Sequence, residues 1–139
     1  MKKIAITGSH GFIGSNFLRY MAEKYPQYGF HLIDKITYAS GEEGFSDSNI
    51  RDLIDGTRIK FFKCDMADKD SVYDALYLCD AVVSFGAESH VGRAMVQGRK
   101  HLMSNDVGAT TVGEVAADYN MRMLQISTDE VYGQIEIGK

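Results

Sequence analysis

The chain has 139 residues, 45% of them hydrophobic, which is enough for one domain with a substantial core. A formal charge of −4 and the absence of any basic run argue against a nucleic-acid partner. No apolar stretch is long enough to span a bilayer, and the N-terminus lacks the features of a signal peptide, so we expect a cytoplasmic protein that does not enter a membrane.

The first predicted element is a strand, followed by a glycine-rich turn and a helix. Ile4 to Ile6 form the strand, and Gly8, Gly11 and Gly14 follow at intervals of three. In such a turn the first glycine turns the chain, the second admits phosphates, and the third lets helix and strand pack closely. The first N–H groups of the helix and the positive end of its dipole suit a pyrophosphate.

The helix is predicted from Phe12 to Lys24, with Ile13, Phe17 and Met21 as its inward face because they recur every four residues. Pro26 follows its end.

The second strand, Phe30 to Ile33, ends at Asp34, about 20 residues after the last glycine. A carboxylate at this position accepts hydrogen bonds from ribose hydroxyls and repels a 2′-phosphate, which favours NAD over NADP. Lys35 is a neighbouring cation that leaves NADP open. The alternative is a glycine turn with a capping or surface aspartate.

The rest of the chain continues the alternation of strands and helices after a loop from Lys35 to Asn49. The predicted elements are a short helical face at Ile50, Leu53 and Ile54 closed by Gly56, a strand Ile59–Cys64, a helix Lys69–Tyr77 with Asp68 as its N-cap, a strand Ala81–Phe85, a helix Gly92–Met103, a helix Asn105–Tyr119 with Val112, Val115, Ala116 and Tyr119 inward, and a strand Met121–Ser127.

This alternation predicts an α/β fold, a Rossmann-type doubly wound parallel sheet with strand order 3-2-1-4-5. We expect residues 1–139 to form one dinucleotide-binding domain. Ligands of such sheets bind outside the carboxyl ends of the strands, at the switch between strands one and four. The residues that follow each strand are therefore the candidate site.

Several strand ends carry polar or small residues. Asp65 either accepts a hydrogen bond from an adenine amino group or caps the turn at Asp68. Gly86 and Ala87 are small, as close approach to a cofactor requires. The next three residues, Glu88, Ser89 and His90, are either part of the site or a solvated loop.

The last strand is followed by Ser127, Thr128, Asp129 and Glu130. Two adjacent carboxylates at the cofactor's nicotinamide end are able to divide the work of acid and base if their environments separate their pKa values. The alternative is that one of them caps the next turn. Two cysteines, Cys64 and Cys79, lack metal-ligand spacing, so we expect buried thiols in a reducing compartment and no metal.

Six segments together resemble the dTDP-glucose 4,6-dehydratases, which belong to the extended short-chain dehydrogenase/reductase family. They are TGSHGFIGSNF, LIDKITYAS, the Cys64-Asp65 strand end, GAESHVGR, SNDVGAT and ISTDEVYG. The glycine motif is common to the whole family, whereas AESH together with STDEVYG is more specific to the dehydratase branch. Related epimerases and decarboxylases usually lack the Asp-Glu pair.

The resemblance implies an NAD-dependent elimination on a nucleotide sugar. Glu130 would remove the C5 proton of the glucose unit, Asp129 would protonate the departing C6 hydroxyl, and Thr128 would hydrogen-bond near the C4 oxygen. The residues that it assigns to the cofactor are Gly8, Gly11, Phe12, Ile13, Gly14, Asp34, Lys35, Asp65, Met66, Phe85, Gly86, Ala87 and Ser127. Those that it assigns to the substrate are Glu88, Ser89, His90 and Asn105.

The chain departs from this family in several places. Ser9-His10 stand where Gly-Ala is usual, and the loop after strand four has Gly92 and Ala94 where the family has a charge and a hydroxyl. Gly98 replaces a common proline, and His101 replaces a phenylalanine.

The family's Tyr-x-x-x-Lys, which deprotonates the C4 hydroxyl, is expected on a helix after strand five. Tyr20 and Lys24 have this spacing but lie on the first helix. We therefore expect the amino-terminal portion of a longer enzyme, without its substrate domain, that binds NAD but does not turn over substrate alone. The full-length relatives usually form homodimers. The alternatives are a stand-alone dinucleotide-binding module without catalysis and a sugar-nucleotide epimerase or decarboxylase relative.

Overall fold

A computed structural model describes residues 1–36, 50–88, 96 and 98–133, with the backbone alone at positions 129 and 130. The regular elements are β1 Lys3–Thr7, α1 Phe12–Lys24, β2 Gly29–Asp34, β3 Ile59–Lys63, α2 Lys69–Leu76, β4 Ala81–Ser84, α3 Gly98–Leu102, α4 Ala109–Asp118 and β5 Arg122–Gln125. A π-helical segment, Met103–Gly108, joins α3 to α4, and single 3₁₀ turns lie at Arg51–Leu53 and Asp129–Tyr132.

The five strands form one parallel sheet in the order β3-β2-β1-β4-β5, which confirms the predicted Rossmann-type topology. Ile6 at the centre pairs with Leu32 of β2 on one side and with Val83 of β4 on the other. Because all strands run in the same direction, their carboxyl ends meet at one edge of the sheet. The order reverses between β1 and β4, so the crevice for a ligand lies there.

Each face of the sheet has its own core. Ala5 packs with Val72 of α2 and Val112 of α4 on one face, and the next residue, Ile6, packs with Leu18 of α1 on the other. This alternation follows from the two-residue period of a strand. A side chain as fully buried as Leu18 contributes about 1.5–3 kcal/mol. The two cores hold the strand ends rigidly in register.

Two of the three residues predicted on the inward face of α1, Phe17 and Met21, are partly buried and pack against the core. Ile13 is 59% exposed, whereas Gly14, Leu18 and Ala22 are buried. The prediction for Ile13 was wrong because the backbone of Gly14 touches the turn after β1, and this contact leaves Ile13 exposed. Tyr119, also predicted to point inward, is 39% exposed and packs edge-on against Tyr73.

The predicted helices on either side of residue 104 belong to one continuous helical run from Gly98 to Asp118. Its π-helical segment has a wider turn than an α-helix, and such segments are frequent at functional sites. The segment buries Ser104 and Gly108. Residues 92–95 and 97 of the predicted helix lie outside the described part, and the predicted helical face after Ile50 is a single 3₁₀ turn.

His31 links the sheet to α2 and gives the fold a pH dependence. Its Nδ1–H donates a 2.7 Å hydrogen bond to the carbonyl oxygen of Ala75, and burial lowers the pKa of its ring from the ordinary value of 6.5. The unfolded chain therefore binds a proton more readily than the folded one, so stability is lost as pH falls below about 6.5.

The unfolding free energy of the wild type should fall between about pH 7 and pH 5, and we expect His31→Asn to make this fall smaller. The asparagine amide can still donate to Ala75 but does not titrate in this range. Urea unfolding at several pH values measures the slope. An unchanged slope in the variant would contradict the assignment to His31.

Candidate functional site

The glycine turn between β1 and α1 requires its glycines for different reasons. Gly8 has φ of +64°, and a Cβ there would lie 2.7 Å from the backbone nitrogen of Gly86. A Cβ on Gly14 would lie 2.3 Å from the carbonyl oxygen of Gly8. At Gly11 a Cβ would meet only the Gly8 oxygen, at 3.3 Å. The first and third glycines therefore pack the turn, and the second faces the crevice.

The start of α1 is open to an anion. Gly11 precedes the helix in an extended conformation, and neither a side-chain cap nor an acidic side chain lies in the first turn. Phe12 and Ile13 are 84% and 59% exposed. The positive end of the helix dipole and its first N–H groups are thus presented to the crevice.

Asp34 connects the glycine turn to the end of β2. Its Oδ2 accepts a 3.0 Å hydrogen bond from the backbone N–H of His10, and its Oδ1 accepts a 2.8 Å bond from Ile36 N–H. A carboxylate has about four lone-pair positions, so it can still accept bonds from ribose hydroxyls. Asp34 therefore positions the turn, a role that the sequence alone did not reveal.

The side chain of His10 also lies close to the Asp34 carboxylate. Its ring is buried against Phe61, with ring centroids 4.6 Å apart, and its Nδ1 lies 3.1 Å from Ser9 Oγ and 4.0 Å from Asp34 Oδ2. Burial lowers the pKa of His10, with Asp34 acting in the opposite direction. Ser9 and His10, which stand where the family usually has Gly-Ala, are thus both buried within the turn.

A cleft at the carboxyl edge of the sheet collects most of the predicted cofactor residues. Three lining residues were not predicted, namely Ile33, Cys64 and Ser104. Ile33 and Cys64 immediately precede Asp34 and Asp65, so their positions at strand ends are the signal that could have identified them. Ser104 is the first residue of the SNDVGAT segment, but no position rule assigns it to the cleft. The predicted residues that line the cleft are Gly8, Gly11, Asp34, Lys35, Asp65, Met66, Phe85, Gly86, Ala87 and Glu88.

Met66 and Gly86 form one wall of this cleft. A Cβ on Gly86 would lie 2.6 Å from the Met66 side chain, and Gly86 N–H donates a 3.1 Å hydrogen bond to Thr7 Oγ1. The small size of Gly86 therefore lets the end of the Met66 side chain pack against the start of the loop after β4. It was predicted to be small so that a cofactor can approach closely.

Lys35 and Asp65 meet at the β3 side of the cleft. Lys35 Nζ donates a 2.6 Å hydrogen bond to Ser104 Oγ and lies 3.7 Å from Asp65 Oδ2. The other oxygen of Asp65 accepts the N–H of Ala67 at 3.1 Å. Asp65 thus forms a turn with its side chain, while Oδ2 faces Lys35.

Asn105 holds the loop that follows β4. Its Oδ1 accepts the backbone N–H of Glu88 at 2.7 Å, and its Nδ2 donates to the Glu88 carbonyl oxygen at 2.9 Å. This pair of bonds fixes Glu88 at the mouth of the cleft. Ser89 and His90 lie outside the described residues.

The family model described as GDP-mannose 4,6 dehydratase matches residues 5–138. The chain belongs to this family. It is 36% identical over 137 residues to the low-salt glycan biosynthesis protein Agl12 of Haloferax volcanii, covering 98% of the chain and 42% of that relative. It is 34% identical over 135 residues to a dTDP-glucose 4,6-dehydratase of Mycobacterium tuberculosis, covering 97% of the chain and 39% of the relative.

A solved structure supports the same placement within the family. The chain superposes with a TM-score of 0.84 and 32% identity on a double mutant of DesIV, the dTDP-glucose 4,6-dehydratase of Streptomyces venezuelae, crystallised with NAD. The match covers 98% of the chain and 42% of that structure. The resemblance to dTDP-glucose 4,6-dehydratases is thus confirmed, and the chain spans about two fifths of the length of these relatives.

The segment that carries the family's Asp-Glu pair leaves the sheet beside β4. Ile126 N–H donates a 3.0 Å hydrogen bond to the carbonyl oxygen of Ser84, the last residue of β4. Ser127 and Thr128 follow as exposed residues, and the backbone of residues 129–132 forms a 3₁₀ turn. This segment therefore starts at the carboxyl edge of the sheet. The side chains of Asp129 and Glu130 are not among the described groups.

The remaining titratable groups of the described part offer no second centre. Burial raises the pKa of the Cys64 thiol to about 11 and that of Cys79 to about 12, so both stay protonated. Both are only partly buried, contrary to the expectation of buried thiols. Within residues 1–36, 50–88 and 98–133, no group of three or more metal-binding side chains is present, and no helix is long and apolar enough to cross a membrane.

Proposed function

We propose that this chain is the NAD-binding part of a nucleotide-sugar 4,6-dehydratase that converts dTDP-glucose to its 4-keto-6-deoxy product. One observation carries the proposal. Gly8 and Gly11 of the glycine turn and Asp34 all line one cleft at the switch point of the sheet, and Gly11 directly precedes the uncapped start of α1. Relatives with this function are similar over nearly the whole chain.

The residues around the cleft have the chemistry that a dinucleotide would need. Gly11 leaves space at the helix start for a pyrophosphate, with Phe12 and Ile13 contributing backbone N–H groups. Asp34 would accept from the adenosine ribose, and Asp65 and Met66 would border the adenine. When bound, NAD would supply hydride chemistry, as acceptor of the C4 hydride and later as donor to C6; the C4 hydroxyl proton would go to the tyrosine of the family's Tyr-x-x-x-Lys motif.

The acid and base of the elimination are assigned to the segment after β5. Glu130 takes the C5 proton, which is acidic because C4 is then a ketone, and Asp129 gives a proton to the C6 hydroxyl, which departs as water. Glu130 returns a proton to C5 when C6 receives the hydride. Thr128 donates a hydrogen bond near the C4 oxygen. Ser127 and the strand-four loop, Phe85–Ala87, would contact the nicotinamide half of the cofactor.

The nucleotide sugar is expected to bind beyond this loop, near Glu88, Ser89 and His90. The double hydrogen bond from Asn105 to the Glu88 backbone supports a role in shaping that region. Formation of the 4-keto-6-deoxy sugar by the complete protein tests the reaction. Epimerised sugar without loss of water would instead identify an epimerase relative, and binding of NAD without any turnover a non-catalytic module.

The cofactor assignment is tested at Asp34. We expect Asp34→Asn to weaken NAD binding by about tenfold or more, because a charged acceptor to the ribose hydroxyls is lost. The asparagine keeps an oxygen that is able to accept the Ile36 N–H. Calorimetric titration of the complete protein measures the dissociation constant.

Asp52→Asn is the matched control. Asp52 pairs with Arg19 on the surface, with Nη2 and Oδ1 2.7 Å apart, and it does not line the cleft. The same chemical change there should leave NAD affinity unaltered. Equal affinities in all three proteins would reject Asp34 as the ribose ligand.

We also propose that the complete protein is a cytoplasmic homodimer, as the resemblance implies. The exposed apolar side chains Val96, Leu102 and Met103 on and beside α3 support a subunit contact there. Light scattering on the wild type should give the mass of a dimer. Leu102→Glu should shift it toward the monomer, and a monomeric wild type would contradict the proposal.

A further inference from the structure

The Lys35 side chain crosses the β3 side of the cleft and is held by two partners. Ser104 Oγ accepts its hydrogen bond at 2.6 Å, and Asp65 Oδ2 lies 3.7 Å from Nζ. Ser104 is 3% exposed, so its hydroxyl belongs to the packed interior and sets a fixed direction for the ammonium group. Lys35 itself is about one-third exposed.

The Lys35 ammonium group contacts Asp65 and Ser104, although the neighbouring residue in the chain, Asp34, is also an acid. The ion pair of Lys35 is with Asp65, while Asp34 accepts the backbone N–H groups of His10 and Ile36. The ammonium group is therefore engaged at the β3 and π-helical side. The carboxylate beside it remains the dominant charge at the end of β2.

We propose that Ser104 and Asp65 make Lys35 a selector for the dinucleotide that lacks a 2′-phosphate. The inference rests on the proposed function, in which Asp34 binds the adenosine ribose. In related folds a basic side chain near the ribose accommodates a 2′-phosphate. Lys35 follows the strand end at which such a side chain would lie, but its ammonium group is already engaged by Ser104 and Asp65. Releasing Lys35 lets it pair with the phosphate.

The test compares the dissociation constants of NAD and NADP for the complete protein and two variants. Ser104→Ala removes the hydroxyl that holds the ammonium. Asp65→Asn removes the charge but keeps an oxygen that is able to accept the Ala67 N–H. Each substitution should lower the ratio of the NADP dissociation constant to the NAD dissociation constant by about tenfold, mainly because NADP binds more tightly.

Thr111→Val is the matched control. It removes a buried hydroxyl from the same helical run, where Thr111 Oγ1 donates a 2.8 Å hydrogen bond to the Val107 carbonyl oxygen. It should leave the ratio unchanged. Asp65 has a side chain that is 47% exposed, so Asp65→Asn keeps the test decisive if Ser104→Ala lowers stability.

Lys35→Met separates a role of the ammonium from a change in cleft shape. In the Lys35→Met background, which lacks the ammonium group, Ser104→Ala should no longer lower the ratio of the NADP to the NAD dissociation constant. The selector is overturned if Ser104→Ala still lowers the ratio in the Lys35→Met background. It is also overturned if neither Ser104→Ala nor Asp65→Asn changes the ratio. A wild type that binds neither dinucleotide rejects the proposed cofactor site itself, whereas one that binds NAD with an unresponsive ratio rejects the selector alone.

Discussion

Gly14→Ala is expected to destabilise the protein by about 3 kcal/mol and to abolish measurable NAD binding. The added Cβ would lie 2.3 Å from the Gly8 carbonyl oxygen, 3.0 Å from its carbon and 3.2 Å from the Cα of Ser9. All three are backbone atoms, so no side chain can rotate out of the way. The helix must move away from the turn, and the start of α1 moves with it.

Urea unfolding and calorimetric titration with NAD measure the two effects. The unfolding midpoint should fall while the slope with denaturant stays constant, because the same surface is exposed on unfolding. Loss of NAD binding under conditions where the variant is still folded would show that the turn geometry, and not only stability, depends on Gly14.

Gly113→Ala is the matched control in another helix. A Cβ at Gly113 would meet only the Met123 sulfur, at 3.9 Å, which is an ordinary contact. Alanine is a better helix former than glycine by about 1 kcal/mol, so this variant should be as stable as the wild type or more stable. Similar stability of Gly14→Ala and Gly113→Ala would contradict the close packing at the turn.

The parallel sheet and the position of its cleft were predictable because they depend on local patterns. Short apolar runs alternate with helical periodicity, and the right-handed crossover rule leaves one strand order. The glycine spacing and the distance from Gly14 to Asp34 then locate the cleft. These features depend on short patterns and on fixed spacings along the chain, so sequence alone is sufficient.

The contacts that join distant segments were not predictable. Lys35 and Ser104 are separated by 69 positions, and their hydrogen bond depends on the π-helical turn, for which the sequence has no spacing signal. Ile13 was assigned to the inward face of α1 because it is apolar, whereas the close contact between the backbone of Gly14 and the glycine turn leaves Ile13 exposed. Hydrophobic periodicity describes side chains only, so it gives no information about contacts that the backbone makes.

The role of Asp34 illustrates the same limit. Its position after β2 predicts a ribose ligand, and nothing in the sequence indicates that its oxygens also hold His10 and Ile36. A single carboxylate thus couples the shape of the glycine turn to the charge at the proposed ribose position. Substitutions at Asp34 should therefore affect the pyrophosphate end of the cleft as well as the ribose end.

Glu130→Gln in the complete protein is expected to slow elimination of water by about 10²–10⁴-fold while oxidation of the sugar persists. Glutamine is close in size to glutamate but cannot accept the C5 proton at neutral pH. The C4 hydroxyl is oxidised before that proton is removed, so the first step does not need Glu130. The 4-keto sugar that still carries its C6 hydroxyl should accumulate.

Two measurements distinguish this outcome from a general loss of activity. Exchange of the C5 hydrogen with deuterated solvent should fall together with elimination, because both begin with the same proton transfer. Glu114→Gln is the matched control, since Glu114 pairs with Lys69 at 2.7 Å on the exposed surface of α4, and it should retain both rates. C5 exchange at the wild-type rate in Glu130→Gln would show that another group removes the proton. In that case Asp129 is the remaining carboxylate of the pair to test, because elimination still needs one base at C5 and one acid at C6.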